Sequence, residues 1–377
     1  MRMLGEYIHE RSDWPRFIWE VNTITGVLSA VRLRQGELLG KMKSYGLSSQ
    51  WNATLKILTE ETIKSSAIEG VILDPSSVRS SMARGLHLEE AGVQNERRSP
   101  AAVEAVVTMM LDATQNYESA LTSERLFGWH NCLFPTGYSE LRKIRVAAWR
   151  DDVMDVVSGN MGDEKIHFTA PTADRVKPEM EVFFKWFNSE EQPDPLLKAA
   201  IAHLWFVTIH PFDDGNGRIT RAISELSLAR SDNSNQRFYS MSSEILAGRK
   251  DYYRVLEETQ KGTMDITKWL IWFLSCLDRS LDKSNLITDS ALEKESFWRR
   301  LKIQGIGLNE RQQKMIEKLL DGFEGKLTAE KWSKMTLCSH NTAINDISDL
   351  IGKNILIQNP EGGRSTSYRL ANKEEKP

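Results

Sequence analysis

"HPFDDGNGRITRAI", His210 to Ile223, decides how this chain reads. It follows an apolar run, "LLKAAIAHLWFVTI" (196–209), whose length and lack of a polar face predict a buried helix. Gly215-Asn216-Gly217 punctuates the chain, and apolar residues at helical spacing resume after it. The stretch is therefore a helix, a glycine-rich loop and the start of a second helix. Free N–H groups at a helix start, together with the helix dipole, form an anion site. Gly215 and Gly217 let the backbone approach a phosphate with no Cβ in the way. Arg218 and Arg221 are three apart on the new helix and share a face, where two guanidinium forks suit a polyphosphate. Asp214, just before the glycines, offers a carboxylate that can hold Mg²⁺ against those phosphates. His210, at the end of the first helix, has the ordinary pKa range of a general base.

Outward from this stretch, helical spacing dominates. Residues 15–69 read as helical, with a second helix over Trp51–Ile68 that ends at Glu69-Gly70, where glycine suits a C-cap. Residues 100–119 predict a helix, and Thr122 or Ser123 before Glu124 caps another. "VAAWRDDVMDVVSGNMGDEKIHF" (146–168) is valine-rich and broken by Ser158-Gly159-Asn160 and Gly162, which predicts a β-hairpin. Helices are expected over Pro178–Asn188, Pro195–Ile209, Gly217–Ala229 and residues 251–283. Beyond about residue 285 a charged linking helix leads to three short helices, at 309–321, 328–335 and 339–351. Two strands between Ile355 and Leu370 follow, around "NPEGGRS". Three helices and a hairpin wing are the order of a winged helix-turn-helix.

The chain has 377 residues, enough for two to three domains, and its formal net charge of -3 argues against a protein that coats nucleic acid throughout. Cys132, Cys276 and Cys338 are far apart, with no metal-ligand or paired spacing, and are read as reduced thiols. The N-terminus has no apolar run of signal-peptide length, and no stretch approaches the roughly 18 apolar residues of a membrane span. A cytoplasmic protein with no membrane partner is expected.

With these residues in view, the motif resembles the Fic signature, His-x-Phe-x-(Asp/Glu)-Gly-Asn-Gly-Arg-x-x-Arg, and every fixed position is present: His210, Phe212, Asp214, Gly215, Asn216, Gly217, Arg218 and Arg221. Upstream, "SSAIEG" resembles the Fic inhibitory pattern (Ser/Thr)-x-x-x-Glu-(Gly/Asn), with Ser65, Glu69 and Gly70 in the fixed places, the class II arrangement. The segment beginning "WPRFIWEVNTITGVLSAVRL" resembles the N-terminal domain of many bacterial Fic proteins, and "GWHNCLFPTG" and "AAWRDDVMDVVSG" look like the same subgroup.

The resemblance implies a mainly α fold: a helical Fic core with a β-hairpin flap, an N-terminal helical extension and a C-terminal winged helix-turn-helix. The implied domains are 1–95, helical with the inhibitory motif; 96–285, the Fic core; 286–307, a linking helix; and 308–377, the winged helix. The implied enzyme is a protein adenylyltransferase, a nucleotidyltransferase that moves AMP from Mg-ATP to a Ser, Thr or Tyr hydroxyl of a protein, itself included. His210 deprotonates that hydroxyl, Asp214 holds Mg²⁺, Gly215, Asn216 and Gly217 hold the phosphates, and Arg218 and Arg221 contact the β- and γ-phosphate region. Phe212 anchors the loop. The hairpin at about Val156–Phe168 becomes the flap that clamps a target segment, and Tyr252 or Tyr253 in "RKDYYRVLEET" would line the adenine. Glu69 pairs with Arg221 and keeps it from the γ-phosphate.

Within the enzyme class, the rivals are removal of AMP and transfer of another nucleotide. A different class is a DNA-binding regulator with a nucleotide-sensing core. Residues 309–377 carry 11 Lys and Arg against 10 Asp and Glu. The candidate recognition helix offers Ser339, His340, Asn341, Thr342 and Asn345, with Arg364 and Arg369 on the wing, so DNA binding and a protein-interaction or homodimer role both stay open.

Overall fold

The computed structural model describes residues 7–88, 99–139, 141–158, 165–190, 193–320, 323, 325–360 and 366–371. The boundary expected at 95/96, the loop glycines Gly159 and Gly162 with Asn160, and Arg364 lie outside the described residues. The protein is mainly helical with small antiparallel hairpins, and it divides into two compact units, Met1–Asn285 and Leu286–Pro377.

The first unit opens with α1 (Val21–Lys43) and α2 (Leu47–Ile68), separated by a short turn. The helix expected from residue 15 begins six residues later: Ile18 is extended and bridges to Asp265, exchanging backbone hydrogen bonds with Met264 and Ile266. Glu69 is the C-cap of α2, and Gly70 follows with φ +81, the left-handed conformation a glycine takes without strain. Next comes α3 (Pro75–Gly85), a helix the spacing argument did not find, although Asp74 caps it by accepting from the Ser77 N–H and Pro75 stands in its first turn. Two further helices, α4 (Ala101–Gln115) and α5 (Ser123–Leu133), precede a two-residue hairpin, β1 (Tyr138–Ser139) with β2 (Arg142–Lys143). Thr122 caps α5 by accepting from the Arg125 N–H, as expected.

The valine-rich segment forms β3 (Asp155–Ser158) and β4 (Lys165–Thr169), antiparallel, with a register irregularity between Val156 and Val157. The helix expected from Pro178 is α6 (Ala173–Phe187); it starts earlier, and Pro178 sits inside it at the cost of one hydrogen bond to the first turn. Every residue of α7 (Pro195–Ile209) from Leu196 on is buried except Lys198, so this helix is the centre of the unit. Packed on it is α8 (Asn216–Asp232), also buried along most of its length. A helix unforeseen in the sequence, α9 (Met241–Ala247), precedes α10 (Arg249–Gln260) and α11 (Thr267–Ile303); the expected single helix over 251–283 is thus broken at residues 261–266.

In the second unit, α12 (Glu310–Leu320), α13 (Ala329–Thr336) and α14 (His340–Gly352) precede β5 (Leu356–Gln358), antiparallel to β6 (Tyr368–Leu370). Trp332, Met315, Ile316, Ile347 and Leu350 form its separate core. Among the described residues no helix is long and apolar enough to cross a membrane.

Candidate active site

The site is built where α7 ends and α8 begins. His210 closes α7 in the left-handed conformation, φ 51 and ψ 59, which turns the chain sharply into the loop. Its ring Nδ1 donates to the Val207 carbonyl at 3.1 Å, an oxygen that can only accept, so the lone pair stays on Nε2. Burial lowers the His210 pKa below its ordinary 6.5, the bond to the Val207 carbonyl opposes this, and the positive charge of Arg150 adds to the lowering. The imidazole is neutral at pH 7, with Nε2 able to take a proton.

The loop is closed by one side chain. The Asn216 amide accepts from the Phe212 N–H at 3.0 Å and donates back to the Phe212 carbonyl at 2.7 Å. Asn216 thus shapes the loop with its side chain and offers only its backbone to a ligand. Phe212 is buried and stacks on His130 at 4.3 Å between ring centroids. His130 is in turn fixed at both ends: Nε2 donates to the Asp214 carbonyl and Nδ1 accepts from the Ala147 N–H, each at 3.2 Å. Burial pushes its pKa down to about 4, so it is a neutral strut.

Gly215 has φ +80, and a Cβ there would stand 2.8 Å from the Phe134 ring. The Asp214 carboxylate accepts from the Gly215 N–H at 2.5 Å and from the Ser139 hydroxyl on β1. Above the first turn of α8, a Cβ on Gly217 would collide with the Glu69 carboxylate. Glu69 therefore occupies the space that the glycine keeps open, at the positive end of α8.

The two motif arginines differ. Arg221 is 2% exposed and fully engaged by the end of α2: Nε donates to Ser65 Oγ, one terminal nitrogen to the Ser65 carbonyl and the other to Glu69, each at 2.8 Å. Arg218 lies over the Phe134 ring at 5.1 Å, and its Nε is buried with no hydrogen-bond partner among the described residues. An unsatisfied buried guanidinium donor is costly and points to a ligand that would accept from it.

Of the tyrosine pair, Tyr252 is buried, and its hydroxyl bonds to His203 Nε2 at 2.9 Å while His203 Nδ1 meets Ser224 at 2.9 Å. That places Tyr252 in the core. Tyr253 is 37% exposed, with Arg249 over its ring. Ser65 is buried, and Gly70 follows the Glu69 C-cap of α2 in the left-handed conformation.

The sequence reading missed His130, Arg150 and Ser139. Their partners are backbone groups or a side chain distant in sequence, and no spacing rule connects them.

Residues 120–228 match the model of the Fic/DOC family, and residues 7–88 match that of the Domain of unknown function (DUF4172). The Fic/DOC match includes the whole loop. Over 105 residues it is 33% identical to the proteins named "Protein adenylyltransferase Fic" in Drosophila ananassae and Drosophila melanogaster, which covers 27% of this chain and 20% of each of those proteins. The match spans about a fifth of the length of those curated relatives. The crystal structure of a Fic family protein from Desulfovibrio desulfuricans superposes with a TM-score of 0.52 at 20% identity, covering 95% of this chain and 99% of that one, a likeness of fold.

Proposed function

We propose that this chain is a protein adenylyltransferase that moves AMP from ATP to a hydroxyl side chain of a protein, its own included, and that Glu69 restrains it. The observation that carries the reading is the pairing of a neutral His210, lone pair on Nε2, with a helix N-terminus that presents Gly217, Arg218 and Arg221. The naming of the relatives as adenylyltransferases supports it over a short stretch.

The residues fit a nucleotide. The unsatisfied Arg218 Nε is a donor for phosphate oxygens, and the space above Gly217, taken by the Glu69 carboxylate, becomes a cradle for them when that carboxylate moves aside. They also fit Mg²⁺: the Asp214 carboxylate, beside the loop glycines, suits an ion that takes its other ligands from phosphates and water. When bound, Mg²⁺ would neutralise charge on the phosphates. The chain's own residues do the rest. His210 Nε2 takes the proton of the target hydroxyl, whose oxygen bonds to the α-phosphorus as the α–β phosphoanhydride bond breaks and pyrophosphate leaves; Arg218 and the α8 N-terminus hold the phosphates in line, and Asn216 keeps the loop in shape. Glu69 competes with the nucleotide for Arg221, since one guanidinium fork cannot serve both.

The test is mass spectrometry of the Glu69→Gly protein after incubation with a panel of Mg-nucleotides. Mass added as AMP from ATP supports the reading. Label from another nucleotide only, or release of AMP from a modified protein in place of its addition, overturns it.

A further inference from the structure

Arg150 is 2% exposed and, among the described residues, makes no hydrogen bond to a side chain. Its guanidinium donates instead to four backbone carbonyls. Nε reaches His210 at 2.8 Å, one terminal nitrogen reaches Asp152 at 2.8 Å, and the other reaches Pro171 and, at 3.4 Å, Ile209. The Arg150 N–H adds a fifth bond, to the Pro211 carbonyl at 3.0 Å. These acceptors belong to two places. Ile209, His210 and Pro211 form the turn that carries the imidazole. Asp152 and Pro171 stand just before β3 and just after β4, the two legs of the hairpin, which close on each other through the Ala170 N–H and the Met154 carbonyl at 2.9 Å. One buried cation therefore ties both legs of the hairpin to the backbone of His210.

We infer that Arg150 is a positioning residue that fixes the β3–β4 hairpin relative to the His210 imidazole, so that a chain segment lying along the hairpin brings its hydroxyl to Nε2. The inference rests on the transfer reading above. A hairpin with only four- and five-residue strands has little to hold its angle, and a guanidinium fork spanning three chain segments supplies a rigid joint. Lysine cannot replace it, because a single ammonium cannot reach carbonyls on both legs and on the turn in the same geometry. The charges around the joint are Asp213 and Glu179 facing Arg150, and Arg150, Glu69 and Asp214 facing His210.

The test compares the parent with R150K and R150Q, each by three measurements. The first is nitrogen-15 NMR titration of His210 in protein labelled at histidine. The second is amide hydrogen exchange in β3, β4, α7 and α8, and the third is the split between kcat and KM for transfer. In R150Q the His210 midpoint should rise, because a neighbouring positive charge is gone, whereas R150K should keep it low. In both variants, exchange in β3 and β4 should accelerate while α7 and α8 stay protected. The kcat should fall about 100-fold with the KM for ATP little changed, the loss expected when a reacting group is misplaced by about 1 Å. Should R150Q not fold, R150K alone decides, through hairpin exchange and kcat. An unmoved His210 midpoint in folded R150Q, or hairpin exchange matching the parent, overturns the inference. So does acceleration spread equally through α7 and α8, which would make Arg150 a general core residue. The NMR and exchange readings need no substrate, so a chain that transfers no nucleotide overturns the transfer reading while these two still decide the role of Arg150.

Discussion

Arg221 donates to Glu69 at 2.8 Å while its other two nitrogens are held by Ser65, so every face of this guanidinium is turned toward the end of α2. The Glu69 carboxylate is 32% exposed and Arg221 is 2% exposed, which makes the acid the removable partner and the arginine the fixed one. On the proposed reading, a polyphosphate arriving over Gly217 meets Glu69 first.

Glu69→Gly is therefore expected to raise AMP incorporation by about tenfold or more, equivalent to about 1.4 kcal/mol. Glu69→Asp, with its shorter reach, should relieve the restraint in part. Arg221→Ala in the Glu69→Gly background should remove the gain. Incorporation by folded Glu69→Gly no higher than the parent across several ATP concentrations would refute the shared-ligand idea.

His210→Ala should abolish transfer, with a loss on the order of 10² to 10⁴ in rate, while ATP binding by calorimetry stays close to the parent's. The base must be neutral to act, and its pKa is lowered from 6.5 by burial, so the rate should hold as pH falls through 6.5 and decline only below it. A rate limb at or above 6.5 would contradict a base whose pKa burial has lowered.

Asp214→Ala should lose most of the activity, and excess EDTA should abolish activity in the parent, because on the proposed reading the Asp214 carboxylate, bonded to the Gly215 N–H, holds the metal. Ser139→Ala, which removes the hydroxyl on that carboxylate, should change the metal concentration giving half activity while the His210 titration stays put. Full activity in excess EDTA would count against a metal at Asp214.

Acid stability should follow the buried histidines. Burial lowers His130 to about 4 and His203 to about 3, against an ordinary value near 6.5. Below pH 6.5 the unfolded chain binds protons at these two positions and the folded chain does not, so stability is full above 6.5 and decreases as pH falls toward 4 and then 3. Urea unfolding at several pH values measures this. His203→Gln, which can still bond to Tyr252 and Ser224, should flatten the lower part of the curve; an unchanged slope would show that His203 does not carry it.

Much of this site was legible because its residues are contiguous. His210 through Arg221 lie within one helix–loop–helix, where spacing fixes which side chains share a face, and the α7 and α8 boundaries follow from an apolar run and a glycine pair. The order of the C-terminal elements was legible for a similar reason, since short amphipathic helices separated by turn residues leave few alternatives. What escaped depends on tertiary contacts. Arg150 looks like any charged residue in "AAWRDD" until its four carbonyl acceptors are seen, and His130 is a lone histidine on a mixed helix until Phe212 is found stacked on it. For α3 the signal was there, in Asp74-Pro75, but a short helix with a broken apolar face gives spacing little to work on. Pro178 misled in the opposite direction: its preference for a first turn set the start of α6 too late.

Glu61, Ser65 and Glu69 recur at every fourth position of α2 and so lie along one side of it. Glu61 is buried and accepts from the Ser240 hydroxyl at 2.7 Å and the Ser242 N–H at 2.9 Å, at the start of α9. The helix is thus moored two turns away from the carboxylate at its tip. On the proposed reading the moving part of the brake is one side chain, not a domain, and changing its rotamer is a matter of nanoseconds. Such a brake slips: at any moment a fraction of molecules has Arg221 uncovered, and that fraction grows with nucleotide concentration. The resting chain should show a slow, graded turnover set by the ATP supply and no sharp threshold between silence and activity.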